Sequence, residues 1–215
     1  MNILITGTGR GIGKAIAEKF LTHGHDVTGF DILPSSISHA KYTHYVADVA
    51  AGELPDIPNV EVLVNNAGVQ NSGADIDVNL KGVIRVTEKY AFSESIKSVL
   101  FIASASASTG AEFPEYAASK GGVVAYMKNV ASRVARFGAT ANSLSPGGVL
   151  TKSNAHVIDD PKLWRQIMDV TPLKKWATEE EIAEWAYFVA AVNRSMTAQD
   201  ILIDNGEASD FTFVW

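Results

Sequence analysis

The sequence predicts an α/β protein in which helices cover both faces of a parallel sheet, and three observations carry that expectation. Short apolar runs at residues 3–5 and 99–102 show no polar alternation, as strands buried on both faces require, and residues 60–64 supply a further strand. Stretches with apolar side chains at helical spacing lie between such runs, so strand and helix alternate along the chain. The first run passes directly into a glycine-rich loop that opens a helix, the entry to a doubly wound fold.

The 215 residues amount to one domain, expected as a single unit over 1–215. With 47% hydrophobic and 20% charged residues, the chain has an ordinary globular composition. The absence of cysteine excludes disulfides, thiol catalysis and Cys-ligated zinc, and no metal site is expected. Met1 leads at once into the first apolar run, and no run reaches membrane-spanning length; the expectation is a soluble, cytoplasmic protein. A net charge of −6 with no basic tract argues against nucleic acid as a partner.

After the first strand comes Thr6-Gly7-Thr8-Gly9-Arg10-Gly11-Ile12-Gly13. Ile12, Ala15, Ile16, Phe20 and Leu21 then share one helix face, and Gly24 is the stop. Strand, glycine loop and helix in that order bring a dinucleotide's pyrophosphate onto backbone N–H groups at a helix N-terminus. The glycines matter because a Cβ would block the turn or the approach of the phosphate. A second strand at 27–30 ends in Asp31, whose carboxylate can accept from both hydroxyls of an adenosine ribose and would repel a 2′-phosphate. That favours NAD. Arg10 points the other way, since a cation there suits the 2′-phosphate of NADP.

A third strand is expected at 42–47 with Asp48 at its polar end, followed by the helix breakers Gly52, Pro55 and Pro58. The fourth strand closes in Asn65-Asn66-Ala67-Gly68, where amide side chains can pin neighbouring loops and Gly68 leaves room for a flat ligand. Residues 77–92 predict a helix with Asn79 near its start. The fifth strand, within 98–103, runs into a loop of small residues at 104–110, on the sheet edge where ligands bind in open α/β folds. Pro114 opens a helix that stops at Gly138, and a sixth strand at 139–144 ends in Ser145-Pro146-Gly147-Gly148. Residues 151–171 predict a short helical flap, within which Trp164 is expected to pack on the core. Thr178 and Glu181 form a capping box, starting a helix with Ile182, Trp185, Ala186 and Val189 inward, and 201–203 supplies the last strand.

Tyr116 and Lys120 lie one turn apart on one face of the helix opened by Pro114. An ammonium held there favours the phenolate, so the tyrosine could titrate below its usual value of about 10 and exchange protons near neutral pH.

Together these landmarks resemble the short-chain dehydrogenase/reductase family. The resemblance covers nearly the whole chain: Thr6-Gly7-x-x-x-Gly11-Ile12-Gly13, Asp48, Asn65 to Gly68, Asn79, Ser104, Tyr116-x-x-x-Lys120, Pro146-Gly147 and Thr151, with Pro172-Leu173, Glu181-Ile182-Ala183 and Asp204-Asn205-Gly206 similar to the family's C-terminal pattern. It implies a three-layer Rossmann-like fold with a seven-stranded parallel sheet. It also implies an NAD(P)-dependent oxidoreductase that interconverts an alcohol and a ketone or aldehyde on a small molecule. Tyr116 would exchange a proton with the substrate oxygen, Lys120 would serve both that tyrosine and the nicotinamide ribose, and Asn79 would position a water. Ser104 would hold the substrate oxygen, with Ser106 as the alternative. Pro146, Gly147 and Thr151 would border the nicotinamide, Asp48 and Val49 the adenine, and Asn66, Ala67 and Gly68 the adenosine side. A homodimer or homotetramer is implied, through the helices near Asn79 and Pro114. Phe113, Gly148, Val149, Asn154, Trp164 and Met168 are candidate substrate walls.

The chain is short for this family, and the intervals Asp31 to Asp48, Asp48 to Asn65 and Gly68 to Asn79 look compressed. The connecting helices of the first half are therefore expected to be abbreviated. That trimming motivates an alternative reading, a non-catalytic NAD(P)-binding sensor or interaction protein. The apolar tail from Phe211 to Trp215 is expected to pack on its own domain or on a neighbouring subunit.

Overall fold

Side chains alternate between the two faces of a strand, and here both faces are apolar. Ile3, Ile5, Val62, Val64, Leu100 and Ile102 enter one buried cluster, while Leu4, Leu63, Val99 and Phe101 enter the other. Continuous apolar runs are the sequence signature of that two-sided burial. The computed structural model describes residues 1–111 and 113–209. Their strands are β1 (Asn2–Thr6), β2 (Asp26–Asp31), β3 (Tyr42–Val46), β4 (Val62–Asn65), β5 (Ser98–Ile102), β6 (Thr140–Pro146) and β7 (Asp200–Ile203). They pair in parallel as one seven-stranded sheet of order β3-β2-β1-β4-β5-β6-β7. Strand order reverses between β1 and β4, the switch point that opens a crevice above the strands' C-terminal ends.

Helices α1 (Gly11–Thr22) and α7 (Glu179–Tyr187) cover the first face, through Ile16, Phe20, Ala183 and Ala186. Helices α2 (Val83–Tyr90) and α4 (Pro114–Val134) cover the second, through Val83, Val86, Val123, Met127 and Val130. This is the three-layer doubly wound architecture the sequence predicts. The capping box forms as expected: Thr178 Oγ1 accepts from Glu181 N at 3.1 Å, and Glu181 Oε2 accepts from Thr178 N at 2.9 Å.

Five details differ from the sequence expectation. The connections after β2 and after β3 hold no helix at all, rather than shortened ones, and β3 is left mostly exposed at the sheet edge. The loop at 104–110 contains a short helix, α3 (Ser106–Thr109). The helix expected from residue 77 begins with a π-helical turn, Asp77–Gly82, before α2 takes over. Trp185 faces outward at 45% exposure, because Ile182, Ala183 and Ala186 fill the inward stripe of α7; its ring meets Phe188 instead. Trp164 is half-buried and packs edge-on against Trp176, with ring centroids 5.2 Å apart.

Between β6 and α7 run a 3₁₀ turn (Lys152–Asn154), α5 (Ala155–Ile158) and α6 (Pro161–Val170), and none of their residues is buried. No helix among the described residues is long and apolar enough to cross a membrane. The tail from Phe211 to Trp215 lies outside the described residues.

Candidate active site

The loop after β1 is fixed by bonds that only small residues allow. Gly7 has φ +76°, and a Cβ on Gly13 would stand 2.0 Å from the Gly7 carbonyl oxygen, so neither position accepts a side chain. Asn66, just past β4, donates from Nδ2 to the carbonyls of Thr6 (3.0 Å) and Gly7 (3.1 Å). The Thr6 hydroxyl accepts in return from the N–H groups of Asn66 and Ala67, both at 3.0 Å. Arg10 is exposed and stands at the N-cap of α1 with no side-chain cap, and the first turn holds no acidic residue. The N–H groups of Gly11, Ile12 and Gly13 therefore face an end that favours an external anion. A dinucleotide pyrophosphate fits that donor set.

Asp31 Oδ2 accepts from Gly9 N at 2.7 Å and Oδ1 from Leu33 N at 2.9 Å. A Cβ on Gly9 would lie 2.9 Å from this carboxylate, so the loop and the acid are in direct contact. Each oxygen keeps a further lone pair for a ribose hydroxyl. Asp48 caps its own turn, Oδ1 accepting from Ala50 N at 2.8 Å, and Val49 is buried below the π-helical turn. Arg85 of α2 holds this segment by donating to the carbonyls of Asp48 (3.4 Å), Val49 (3.1 Å), Ala51 (3.1 Å) and Gly52.

On the other side of the switch point, Lys120 is buried, and its Nζ donates to the Ile102 carbonyl at 2.9 Å. The ammonium stands 5.7 Å from the centroid of the Tyr116 ring. Burial pushes the Lys120 pKa down to about 8, and the charge of Asp75 opposes that shift. One bond used leaves further N–H donors on the ammonium. Asn79, fully buried in the π-helical turn, accepts at Oδ1 from Val69 N and donates from Nδ2 to Val69 O, both at 2.8 Å. Its Nδ2 also donates to Ser119 Oγ at 3.1 Å, and that hydroxyl donates to the Tyr116 carbonyl at 2.7 Å. Asn79 is thus tied to the helix turn between Tyr116 and Lys120. Gly68 borders the same group: a Cβ there would lie 3.1 Å from Asn79 Oδ1 and 3.5 Å from Lys120 Nζ.

Ser104 and Ser106 are both buried just beyond β5, and Ser104 Oγ accepts from Ser106 N at 3.2 Å. The loop is braced on β6, with Ala105 N donating to the Pro146 carbonyl at 2.8 Å. Gly147 N donates to the Ile203 carbonyl at 2.9 Å, while Thr151 precedes the 3₁₀ turn, its carbonyl accepting from Asn154 N at 3.0 Å, and Asn154 Nδ2 reaches the Val149 carbonyl at 2.9 Å. Gly7, Asp31, Asn66, Ser104 and Pro146 thus stand at the C-terminal ends of five strands along one sheet edge.

A family model described as Enoyl-(Acyl carrier protein) reductase matches residues 46–207 of this chain. A solved oxidoreductase of the short chain dehydrogenase/reductase family from Burkholderia thailandensis superposes with TM-score 0.84 and 26% identity, over 97% of this chain and 93% of that one. The chain belongs to the short-chain dehydrogenase/reductase family. Among curated relatives, 2-dehydro-3-deoxy-D-gluconate 5-dehydrogenase of Bacillus subtilis is 27% identical, over 87% of this chain and 86% of that protein. The 3-oxoacyl-[acyl-carrier-protein] reductase FabG of Staphylococcus epidermidis is 28% identical, over 94% and 97%. A Beutenbergia cavernae structure described as an NAD(P) dependent gluconate 5-dehydrogenase, with NADP bound at low occupancy, superposes with TM-score 0.85 at 25% identity, covering 97% of each chain. Short-chain dehydrogenase/reductase membership carries nicotinamide-dependent oxidoreduction in general terms.

Sequence reasoning missed Arg85, Ser119 and the bracing role of Asp31. Arg85 acts on backbone carbonyls 33 to 37 residues away, and no local pattern marks such a contact. Ser119 sits inside the Tyr116–Lys120 interval and was legible there as a polar residue on a largely apolar helix.

Proposed function

We propose that the protein interconverts an alcohol and a ketone or aldehyde on a small molecule, with Tyr116 as general acid and base. The observation that supports this best is the buried Lys120 ammonium beside the Tyr116 ring, tied through Ser119 to Asn79. When bound, the nicotinamide supplies or accepts the hydride. Tyr116 holds at its hydroxyl the proton exchanged with the substrate oxygen. Lys120 favours the phenolate by its charge, and its remaining N–H donors suit a ribose hydroxyl. Ser104 Oγ polarises the substrate oxygen; Ser106 is assigned to shaping the loop that holds it. Asn79 keeps the Tyr116–Lys120 turn in register and lines the path for a proton-carrying water.

Gly7, Gly9, Arg10, Gly11, Ile12 and Gly13 would hold the pyrophosphate end. Asp31, with its spare lone pairs beside the loop, favours the free ribose of NAD over the phosphorylated ribose of NADP. Asp48 and Val49 would meet the adenine, Asn66, Ala67 and Gly68 the adenosine side, and Pro146, Gly147 and Thr151 the nicotinamide. The segment 151–171 serves as the substrate flap of a single catalytic domain, and the working form is a homodimer or homotetramer in the cytoplasm.

The test is turnover of NADH with a panel of carbonyl compounds by wild type and Tyr116→Phe. Loss of the proton-transfer group is expected to lower kcat/KM by roughly 10²- to 10⁴-fold while NADH binding persists. A second reading is favoured by the missing helices after β2 and β3: a non-catalytic nicotinamide-binding sensor. Wild-type protein that binds NADH yet reduces no carbonyl in the panel would establish that reading over ours.

A further inference from the structure

The helices between β6 and α7 contain no buried residue, so apolar packing does not hold them to the sheet. Backbone bonds hold their far end, Leu173 N donating to the Asn205 carbonyl at 3.2 Å and Ala177 N to the Gly148 carbonyl at 3.1 Å, and one carboxylate ties these contacts together. Glu207 Oε1 accepts from the indole Nε1 of Trp176 at 2.7 Å and stands 3.1 Å from the Thr171 hydroxyl, whose one proton is shared with the Ile167 carbonyl at 2.7 Å. Its Oε2 accepts from Gly148 N at 3.3 Å, on the turn leaving β6. Three donors from three segments thus converge on one side chain, and only an acceptor with several lone pairs can join them.

The neighbours are shaped around this junction. Trp176 and Thr171 are both buried, and the Trp176 indole occupies the space that a Gly148 Cβ would need, 2.0 Å from that position. Pro172 packs on Gly206, whose Cβ would fall 2.8 Å from the proline ring. Trp164 of α6 in turn rests edge-on against Trp176. A mechanical line therefore runs from the β6 turn through Glu207 and Trp176 to the helix that would close over substrate.

We propose that Glu207 is a positioning residue that latches the 152–170 segment over the nicotinamide side of the site. This rests on the reading of that segment as the substrate flap. Glu207 touches no reacting atom; its effect passes through Trp176 and Thr171. Removing it leaves only the backbone bonds at Leu173 and Ala177 to hold the hinge, and the flap samples open states while the sheet and the cofactor loop stay as they are.

Hydrogen–deuterium exchange on wild type, Glu207→Ala and Glu207→Gln, each with and without NADH, tests the latch without needing a substrate. Glu207→Ala is expected to speed exchange across 152–171 by about tenfold or more, since the charge-assisted bonds from Trp176 and Gly148 and the shared one from Thr171 are lost. Exchange in β1, β4 and β5 should not change. Glu207→Gln keeps an oxygen for Trp176 and Thr171 but presents an N–H to Gly148, so it should fall between the two. If Glu207→Ala does not fold, Trp176→Phe removes the indole donor without touching a bond inside the flap helices and should give a smaller rise confined to the same segment. Unchanged flap exchange in Glu207→Ala, an equal rise in the sheet strands, or Glu207→Gln as loose as Glu207→Ala would each overturn the latch. Failure of the oxidoreductase reading would look different: no carbonyl turnover by wild type, with the flap response to Glu207 intact.

Discussion

Replacing Lys120 by Met should abolish turnover and yet stabilise the cofactor-free protein. Lys120 is 5% exposed and its pKa falls from 10.5 to about 8, chiefly because burial penalises the charge. At about 1.4 kcal/mol per pKa unit, holding the proton in the folded state at pH 7 costs about 3 kcal/mol. Met has similar length and no charge to desolvate. Against that gain stands the loss of the bond to the Ile102 carbonyl, about 1 to 2 kcal/mol. A net gain of about 1 to 2 kcal/mol follows, or roughly 2 to 8 °C in Tm for a chain of this size.

The pH dependence gives the sharper check. Between about pH 8 and 10.5 the folded protein has released the Lys120 proton while the unfolded chain still binds it. Stability from this group therefore rises with pH across that window, and the full penalty applies below it. The advantage of Lys120→Met should be complete at pH 7, vanish between about pH 9 and 10, and become a deficit of about 1 kcal/mol by pH 10.5, where the charge penalty has faded and the lost Ile102 bond remains. Calorimetric melts of both proteins without cofactor, at pH 7, 9 and 10, measure it, because groups common to both cancel in the difference. A variant less stable than wild type at pH 7, or an advantage constant with pH, would refute the reasoning.

Two further substitutions probe the adenosine end. Asp31→Ala removes the acceptor for Gly9 N and Leu33 N, so NADH should bind about tenfold or more weakly, as expected for two charge-assisted bonds. The ratio of NADPH to NADH dissociation constants should fall at the same time, by fluorescence titration, and an unchanged ratio would remove Asp31 from cofactor choice. Arg85→Ala frees four backbone carbonyls, three of them exposed and that of Val49 half-buried, and should cost about 1 kcal/mol in urea unfolding. A loss below about 0.5 kcal/mol would place it among ordinary surface substitutions.

The parts of this molecule visible in its sequence are those whose physics is local or periodic. Two-sided burial writes apolar runs, as in residues 3–5 and 99–102, and the strands stand there. Tyr116 and Lys120 were legible because four residues make one helical turn, and Thr178 with Glu181 because a capping box closes within one. Trp185 misled because apolar character at roughly helical spacing does not say how wide the buried stripe is. The π-helical turn at Asp77–Gly82 changes the hydrogen-bond register, not the side-chain pattern, so periodicity could not reveal it. Glu207 and Arg85 were invisible for another reason: each works on groups more than 30 residues distant in sequence.

The trimmed first half and the intact second half make different demands on the same sheet. Without helices after β2 and β3, the cofactor loop cannot rely on layered packing at that edge, and polar pins take over. Asp31 grips Gly9, Asn66 grips Thr6 and Gly7, and Arg85 gathers the carbonyls of residues 48–52. Such bonds fix backbone position closely but bury little apolar area, so they preserve geometry better than they preserve binding surface. The groups proposed for proton transfer depend on none of them: Tyr116, Ser119 and Lys120 sit on α4, which buries a full stripe against the second face. On the proposed reading, shortening this fold at its edge should weaken cofactor binding and spare the Tyr116–Lys120 geometry; tight NAD binding by calorimetry would argue against it.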